Sequence, residues 1–248
     1  ADEAAARPRE AYFPEGAFRA SSPESQGMDS DKLNRMLMLI ASSGYDFHSM
    51  VVIKNGYKVL DAGFFPFGND LKHQIYSCTK SFTSALVGIA IEEGAIPGVE
   101  SRVVGFFPNH RFLNPSEGKD AIAVENLLMM TSGVEWVEDG SYGSNDSWVR
   151  LLGSEDPIGF CLDLPVPDKP GSRFYYNSGS SHLLSAILQN ATGGTAAELA
   201  REELFAPMGI EDEYWEKDKK GISYGGTSLY LKPEDMAKFG YLYLRNGR

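Results

Sequence analysis

The chain has 248 residues, 42% hydrophobic and 23% charged, a balance that allows a globular protein with a sizeable core in one large domain or two interleaved lobes. Its 34 acidic residues outweigh 23 basic ones and leave a net charge of −11, which repels the phosphates of nucleic acid and anionic lipid headgroups alike. No apolar run approaches the roughly 20 residues that cross a bilayer, so neither a nucleic-acid partner nor a membrane span is expected.

The start, from Ala1 to Arg9, is polar and Ala-rich with no apolar signal core. It fits a mature chain after processing as well as an arbitrary boundary, and a secreted or periplasmic location is favoured over a cytoplasmic one. Residues 1–29, with Pro8, Pro14 and Pro23, read as an arm lying on a surface, and residues 30–248 as the domain proper. A helix follows Ser30, a candidate cap, because Leu33, Met36, Leu37 and Ile40 keep the i, i+3, i+4, i+7 spacing until Gly44. Next, Met50-Val51-Val52-Ile53 and Tyr57-Lys58-Val59-Leu60 flank Lys54-Asn55-Gly56, where Asn-Gly suits the positive φ angles of a type I′ hairpin turn.

Helical spacing returns over 77–94 through Phe82, Ala85, Leu86 and Ile89. Further helices are predicted near 124–130, 180–190, 196–205 and 233–245. The third of these is led by the capping box Thr195-x-x-Glu198, and the last opens on Pro233. Cys78 is expected inside a buried helix and Cys161 in a loop, both unpaired. One hairpin before a mostly helical remainder indicates an α+β protein. No other convincing strand is visible, although two strands alone rarely make a stable sheet.

Ser77-Cys78-Thr79-Lys80 opens the second helix, and a three-residue step along a helix puts the hydroxyl and the amine one turn apart on one face. The start of that helix adds a positive dipole end and free N–H groups that favour negative charge near Ser77. A serine three residues before a lysine is expected roughly once by chance in a chain of this size. Indeed Ser116-Glu117-Gly118-Lys119 repeats it in a polar, Pro- and Gly-containing stretch, read as a solvated loop. The second element is the turn-rich segment Gly171-Ser172-Arg173-Phe174-Tyr175-Tyr176-Asn177-Ser178-Gly179, leading into Leu183, Leu184, Ile187 and Leu188. Either Tyr175-x-Asn177 or Tyr176-x-Ser178 could point a phenol and a second polar group into one cavity. An aromatic turn packed under a helix explains a lone tyrosine as well.

Together these two segments resemble the serine β-lactamase and penicillin-binding-protein family, which contains class C β-lactamases, D-Ala-D-Ala peptidases, β-lactamase-like esterases and 6-aminohexanoate-oligomer hydrolases. Leu127-Leu128-Met129-Met130-Thr131-Ser132-Gly133 and Gly225-Gly226-Thr227 add to the likeness, which runs from about Ser22 onward. The register Phe174-x-Tyr176-x-Ser178 matches the family better than the alternative, and Asn177-Ser178-Gly179 most resembles the oligomer-hydrolase and esterase branches.

The resemblance implies a β-lactamase/transpeptidase-like fold, with an antiparallel sheet flanked by helices and a mostly helical lobe. It also implies acyl transfer on a small-molecule ester, amide or β-lactam without a cofactor or metal. Ser77 would be the nucleophile, Lys80 and Tyr176 would move its proton, and Ser178 and Asn177 would meet substrate. Free lysine and tyrosine both titrate near about 10, so one must be held deprotonated, and the pair would titrate as a unit without a fixed assignment of the base.

The family's third motif, a Lys/His-Thr/x-Gly strand, is not found before Asn246-Gly247-Arg248, and the C-terminal sheet strands are missing with it. The expectation is a longer protein whose remaining strands pair with the Met50–Phe64 hairpin as a second polypeptide, cut at an exposed turn.

Gly221-Ile222-Ser223-Tyr224-Gly225 matches the nucleophile elbow of α/β-hydrolases, but a charged stretch precedes it and no histidine follows His182, so Ser223 reads as a loop residue. His48, His73, His110 and His182 show no metal-ligand spacing and read as structural or surface groups, with His182 a possible cavity wall. Trp136, Tyr142 and Trp148 lie in a Gly/Ser-rich loop fit to wall a pocket, with Trp136 the candidate to meet substrate, although ordinary packing explains all three equally well. The competing reading is a non-catalytic, penicillin-recognising or degenerate binding module of the same fold.

Overall fold

A computed structural model describes residues 13–14 and 16–247; the Ala-rich start and the first part of the predicted arm lie outside the described residues. In chain order the elements are β1 (Arg19–Ala20), α1 (Ser30–Ser42), β2 (Ser49–Lys54), β3 (Tyr57–Gly63), β4 (His73–Gln74), α2 (Thr79–Glu92), α3 (Glu117–Ala121), α4 (Val124–Leu128), α5 (Ser147–Gly153), α6 (Pro157–Asp163), α7 (Ser178–Thr192), α8 (Ala196–Ala200), β5 (Tyr214–Trp215), β6 (Leu229–Leu231) and α9 (Pro233–Leu244). They gather into two compact units. Among the described residues one consists of those up to His73, Phe205–Glu213 and residues 230–247; the other is Gln74–Leu204 and Tyr214–Leu229.

In the first unit β2 and β3 form the expected hairpin, with Asn55 and Gly56 at φ 53° and 80°, the left-handed values a type I′ turn requires. The pairing runs from Ser49↔Gly63 to Lys54↔Tyr57 with an irregularity between Val52 and Ile53. A third strand was not foreseen. Arg19 and Ala20, from the segment read as an arm, pair in parallel with Tyr57 and Lys58 to give the order β1-β3-β2. The strand beside the hairpin therefore comes from this chain, and a strand from a second polypeptide gains no support from it. Lys58 bridges Asp61 at 2.6 Å and Glu234 in the first turn of α9 at 2.8 Å, while Glu234 Oε1 accepts the Phe18 N–H at 2.7 Å.

The cap of helix α1 lies one residue before the predicted one. The Asp29 carboxylate, not Ser30, accepts the Lys32 N–H at 3.0 Å, and Gly44 at φ 72° follows the helix end. Leu33, Met36, Leu37 and Ile40 are the half-buried positions of the helix, as their spacing predicts, yet none is fully buried.

The second unit is built on α2 packed against α7. Phe82, Leu86, Val87 and Ala90 from α2 meet a core that includes Leu184, Ile187 and Leu188 from α7 and Leu127 from α4. Each large apolar side chain buried this way contributes about 1.5–3 kcal/mol. Short extended segments close the unit through Ile75 N–H to Leu229 O at 2.9 Å and Glu216 N–H to Ser228 O at 3.0 Å. Such two- and three-residue strands carry too few side chains to display an alternating pattern, so sequence periodicity passes over them.

Several local expectations are corrected here. Cys78 is exposed in the turn before α2 rather than buried within it, and Cys161 is buried on α6 rather than in a loop; both are free thiols. The predicted helix at 196–205 divides, with α8 opened by the Thr195/Glu198 capping box and followed by a wider π turn over Arg201–Phe205. The Ser116 repeat is not a solvated loop. Ser116 Oγ caps α3 by accepting the Lys119 N–H at 3.1 Å, and Lys119 is buried with its Nζ donating to Leu162 O at 2.5 Å.

Candidate active site

Ser77 sits in the 3-10 turn Tyr76–Cys78 that runs directly into α2. Tyr76 takes φ 45°, a left-handed conformation that costs a non-glycine residue on the order of 1–2 kcal/mol, and Ser77 beside it is exposed. Buried threonines fix the helix beneath. Thr83 Oγ1 donates to Gly225 O at 2.8 Å and Thr79 Oγ1 accepts the Leu229 N–H at 3.4 Å. One turn along, Lys80 Nζ donates to Ser77 Oγ at 3.2 Å and to Gly226 O at 2.7 Å.

The tyrosine arrives from a loop held at several points. Gly171 N–H donates to Thr131 O at 2.8 Å and Tyr175 N–H to Met130 O at 2.9 Å, so the 127–133 segment is what anchors it. Gly133, at φ 74°, has the Asp168 carbonyl so close that a Cβ would lie 2.2 Å from it. Asn177 then caps α7, its Oδ1 accepting the Ser180 N–H at 2.8 Å. Between these anchors Tyr176 donates its hydroxyl to Ser77 Oγ at 2.7 Å, with its ring centroid 4.9 Å from Lys80 Nζ. Tyr175 instead lies under the Arg173 guanidinium, 4.5 Å away. Serine, lysine and tyrosine thus meet within hydrogen-bond reach, and Tyr176 rather than Tyr175 makes the contact.

The remaining predicted residues are placed differently. Asn177 is buried and its side-chain oxygen is engaged by the helix cap. Trp136 is buried against the start of α7, where a Cβ on Gly179 would come within 2.6 Å of its ring. Ser178 is also buried, with its hydroxyl bonded to Glu138 at 2.6 Å. Tyr142 is exposed, Trp148 packs edge-on to Tyr224, and His182 is fully buried and bonded to Asp218 at 3.0 Å, so it does not line an open cavity. His48 and His73 bond to each other at 3.1 Å and His110 bonds to Asp163 at 2.9 Å. Among the described residues no group of three or more His, Cys, Asp or Glu could hold a metal.

One contributor, Glu138, escaped the sequence reading, and the role of two others was not visible in it. Glu138 meets Ser178 across a loop, and nothing in Trp136-Val137-Glu138 signals it. Gly225 and Gly226 were noted as a motif, but their role is closeness: a Cβ on Gly225 would lie 2.1 Å from Ser181 O, and one on Gly226 3.2 Å from Ser178 O and 3.4 Å from Lys80 Nζ.

A family model described as Beta-lactamase matches residues 43–248, most of the chain. The chain belongs to the Beta-lactamase family. Its fold is β-lactamase/transpeptidase-like, with helices and small sheets, and members of the family are serine hydrolases. Solved structures agree on the fold. A Bacillus anthracis protein provisionally assigned as a 6-aminohexanoate-dimer hydrolase is 25% identical at a TM-score of 0.70, over 81% of this chain and 55% of its own. An octameric penicillin-binding-protein homologue from Pyrococcus abyssi is 23% identical at 0.69, over 89% and 57%. EstCE1, a hydrolase with promiscuous acyltransferase activity, is 14% identical at 0.72, over 91% and 74%. The chain thus spans little more than half the length of the first two. No curated protein matches it.

Proposed function

We propose that this Beta-lactamase-family chain carries the nucleophile and proton-transfer groups of a serine hydrolase acting on an ester or amide through an acyl-enzyme. The observation that supports it most is the convergence on Ser77 Oγ of Tyr176 Oη at 2.7 Å and Lys80 Nζ at 3.2 Å.

The Lys80–Tyr176 pair takes the Ser77 proton while the serine oxygen forms a bond to the substrate carbonyl carbon, with Lys80 held in place by the Gly226 carbonyl. Collapse of the tetrahedral intermediate breaks the bond to the leaving alcohol or amine, which receives the proton from the Lys80–Tyr176 pair. A water then gives a proton to the same pair and attacks the acyl carbon; the bond from that carbon to Ser77 Oγ breaks, Ser77 takes the proton back and the acid leaves. The N-terminal end of α2 favours the developing negative charge. The ester or amide class is supported by the 25%-identical neighbour described as a 6-aminohexanoate-dimer hydrolase and by the Asn177-Ser178-Gly179 segment.

The test uses the full-length protein, a p-nitrophenyl ester and a fluorophosphonate label. Turnover and label at Ser77, both lost in Ser77→Ala, are the expected result. Turnover that survives Ser77→Ala overturns the mechanism, and label without turnover favours a penicillin-recognising module.

A further inference from the structure

Glu138 gathers three donors on one carboxylate. Oε2 accepts Trp136 Nε1–H at 2.8 Å and the Ser178 N–H at 2.8 Å, while Oε1 accepts the Ser178 hydroxyl at 2.6 Å. Hydrogen bonds to an ionised acceptor are about twice as strong as neutral ones, and three together define the orientation of the group they hold. Ser178 is two residues after Tyr176 and, across Gly226, a neighbour of Lys80: a Cβ on Gly226 would lie 3.3 Å from Ser178 Cβ and 3.4 Å from Lys80 Nζ.

We propose that Glu138 is a positioning residue for the Tyr176–Ser178 segment, an inference that rests on the hydrolase reading above. It does this in two ways. It fixes the backbone of Ser178, which together with the Asn177 cap leaves Tyr176 a short, immobile link to the helix. It also accepts the Ser178 hydroxyl proton, which fixes the orientation of that side chain beside Gly226. The cap alone does not explain the arrangement, since Asn177 already serves the helix end and Trp136 orients the carboxylate from its far side.

Glu138→Gln is nearly isosteric but places an amide N–H₂ where Ser178 needs an acceptor, which forces the serine hydroxyl to turn and frees its proton. With a p-nitrophenyl ester on the full-length protein, Glu138→Gln is expected to lower kcat about tenfold or more and to move KM by less than about threefold, the signature of misplaced reacting groups. In a Ser178→Ala background the same substitution should cost less than about threefold, because its effect passes through Ser178. A kcat within about twofold of wild type, or effects that multiply in the double variant, overturns the proposal.

Should Glu138→Gln fail to fold, Trp136→Phe loosens the carboxylate without touching Ser178 and should lower kcat about threefold or more, with an unchanged kcat overturning the proposal. Ser77→Ala separates the two readings: its inactivity beside a fully active Glu138→Gln sinks only the positioning role, whereas its activity sinks the hydrolase.

Discussion

Lys80 is tied to the chain at Gly226: its Nζ donates to the Gly226 carbonyl at 2.7 Å while a Cβ on that glycine would stand 3.4 Å from the same nitrogen. The carbonyl can hold the amine because nothing projects between them. Gly226→Ala must shift Lys80 or the first turn of α7 by a few tenths of an ångström, since the new methyl also meets Ser178 O at 3.2 Å. Small displacements of a catalytic group cost up to about a hundredfold in rate. The expected outcome is a loss of about tenfold or more in kcat with a far-UV spectrum like that of wild type, measured on ester hydrolysis. Wild-type turnover would show that the Lys80 anchor does not matter.

The two thiols differ in a way that alkylation reads directly. Cys78 is exposed beside Ser77, whereas Cys161 is buried on α6, where loss of solvation pushes its thiol well above the ordinary range. Only a thiolate that solvent can reach alkylates at a useful rate. Iodoacetamide on the native protein should modify Cys78 and leave Cys161 intact until denaturant is added, as intact and peptide mass spectra would report. Cys78 modification should also slow turnover, because the added group sits next to the serine. Equal labelling of both residues in the native state is the contrary result.

What could be read in advance divides along sequence separation. Ser77 and Lys80 lie one turn apart on a helix, so their meeting is a local fact and the spacing contained it. The Asn55-Gly56 hairpin and the Thr195/Glu198 capping box are local too. Tyr176 reaches Ser77 across 99 residues, and only the family resemblance separated it from Tyr175. Glu138 and the close approach of Gly225 to Ser181 depend on how loops and helices pack, for which no short-range pattern exists. Lys119 was misread for the same reason: its polar neighbours in sequence are not its neighbours in space, which are Leu162 and Phe112.

That buried lysine makes a prediction of its own. Burial pulls the Lys119 amine below the ordinary lysine range, and the nearby Asp163 charge offsets only part of this. Because the folded pKa is the lower one, the unfolded chain binds the proton more tightly, and stability rises with pH between the folded value and about 10.4. Below that window the cost of a buried charge is present in full. Lys119→Met removes the titration, so wild type should gain stability relative to the variant as the pH is raised from 7 towards 10, as urea melts at several pH values would follow. A relative stability that stays constant or falls over that range contradicts the burial of a charged amine.

Asp218 works in the opposite direction and at the acid end. Burial pushes its carboxyl up, but the hydrogen bond from His182 and those from the Ile222 and Lys220 N–H groups outweigh this and hold it below the ordinary carboxylate range. The folded value being the lower one, its contribution to stability is present above the unfolded value near about 3.9 and is lost as pH falls through the folded value. Asp218→Asn keeps the shape but loses the charged acceptor, and hydrogen bonds to charged groups are worth about 1.5–3 kcal/mol. At neutral pH the variant should be less stable by about that amount. As the pH drops below about 4 the difference should shrink, because wild type loses there what the variant never had. His182 stacks on Tyr224, whose carbonyl accepts Trp215 Nε1–H at 2.8 Å, so the loss should also appear as a changed tryptophan emission before the global transition. A variant as stable as wild type at neutral pH, with an unchanged acid limb, would mean that the His182–Asp218 pair only breaks even against its burial.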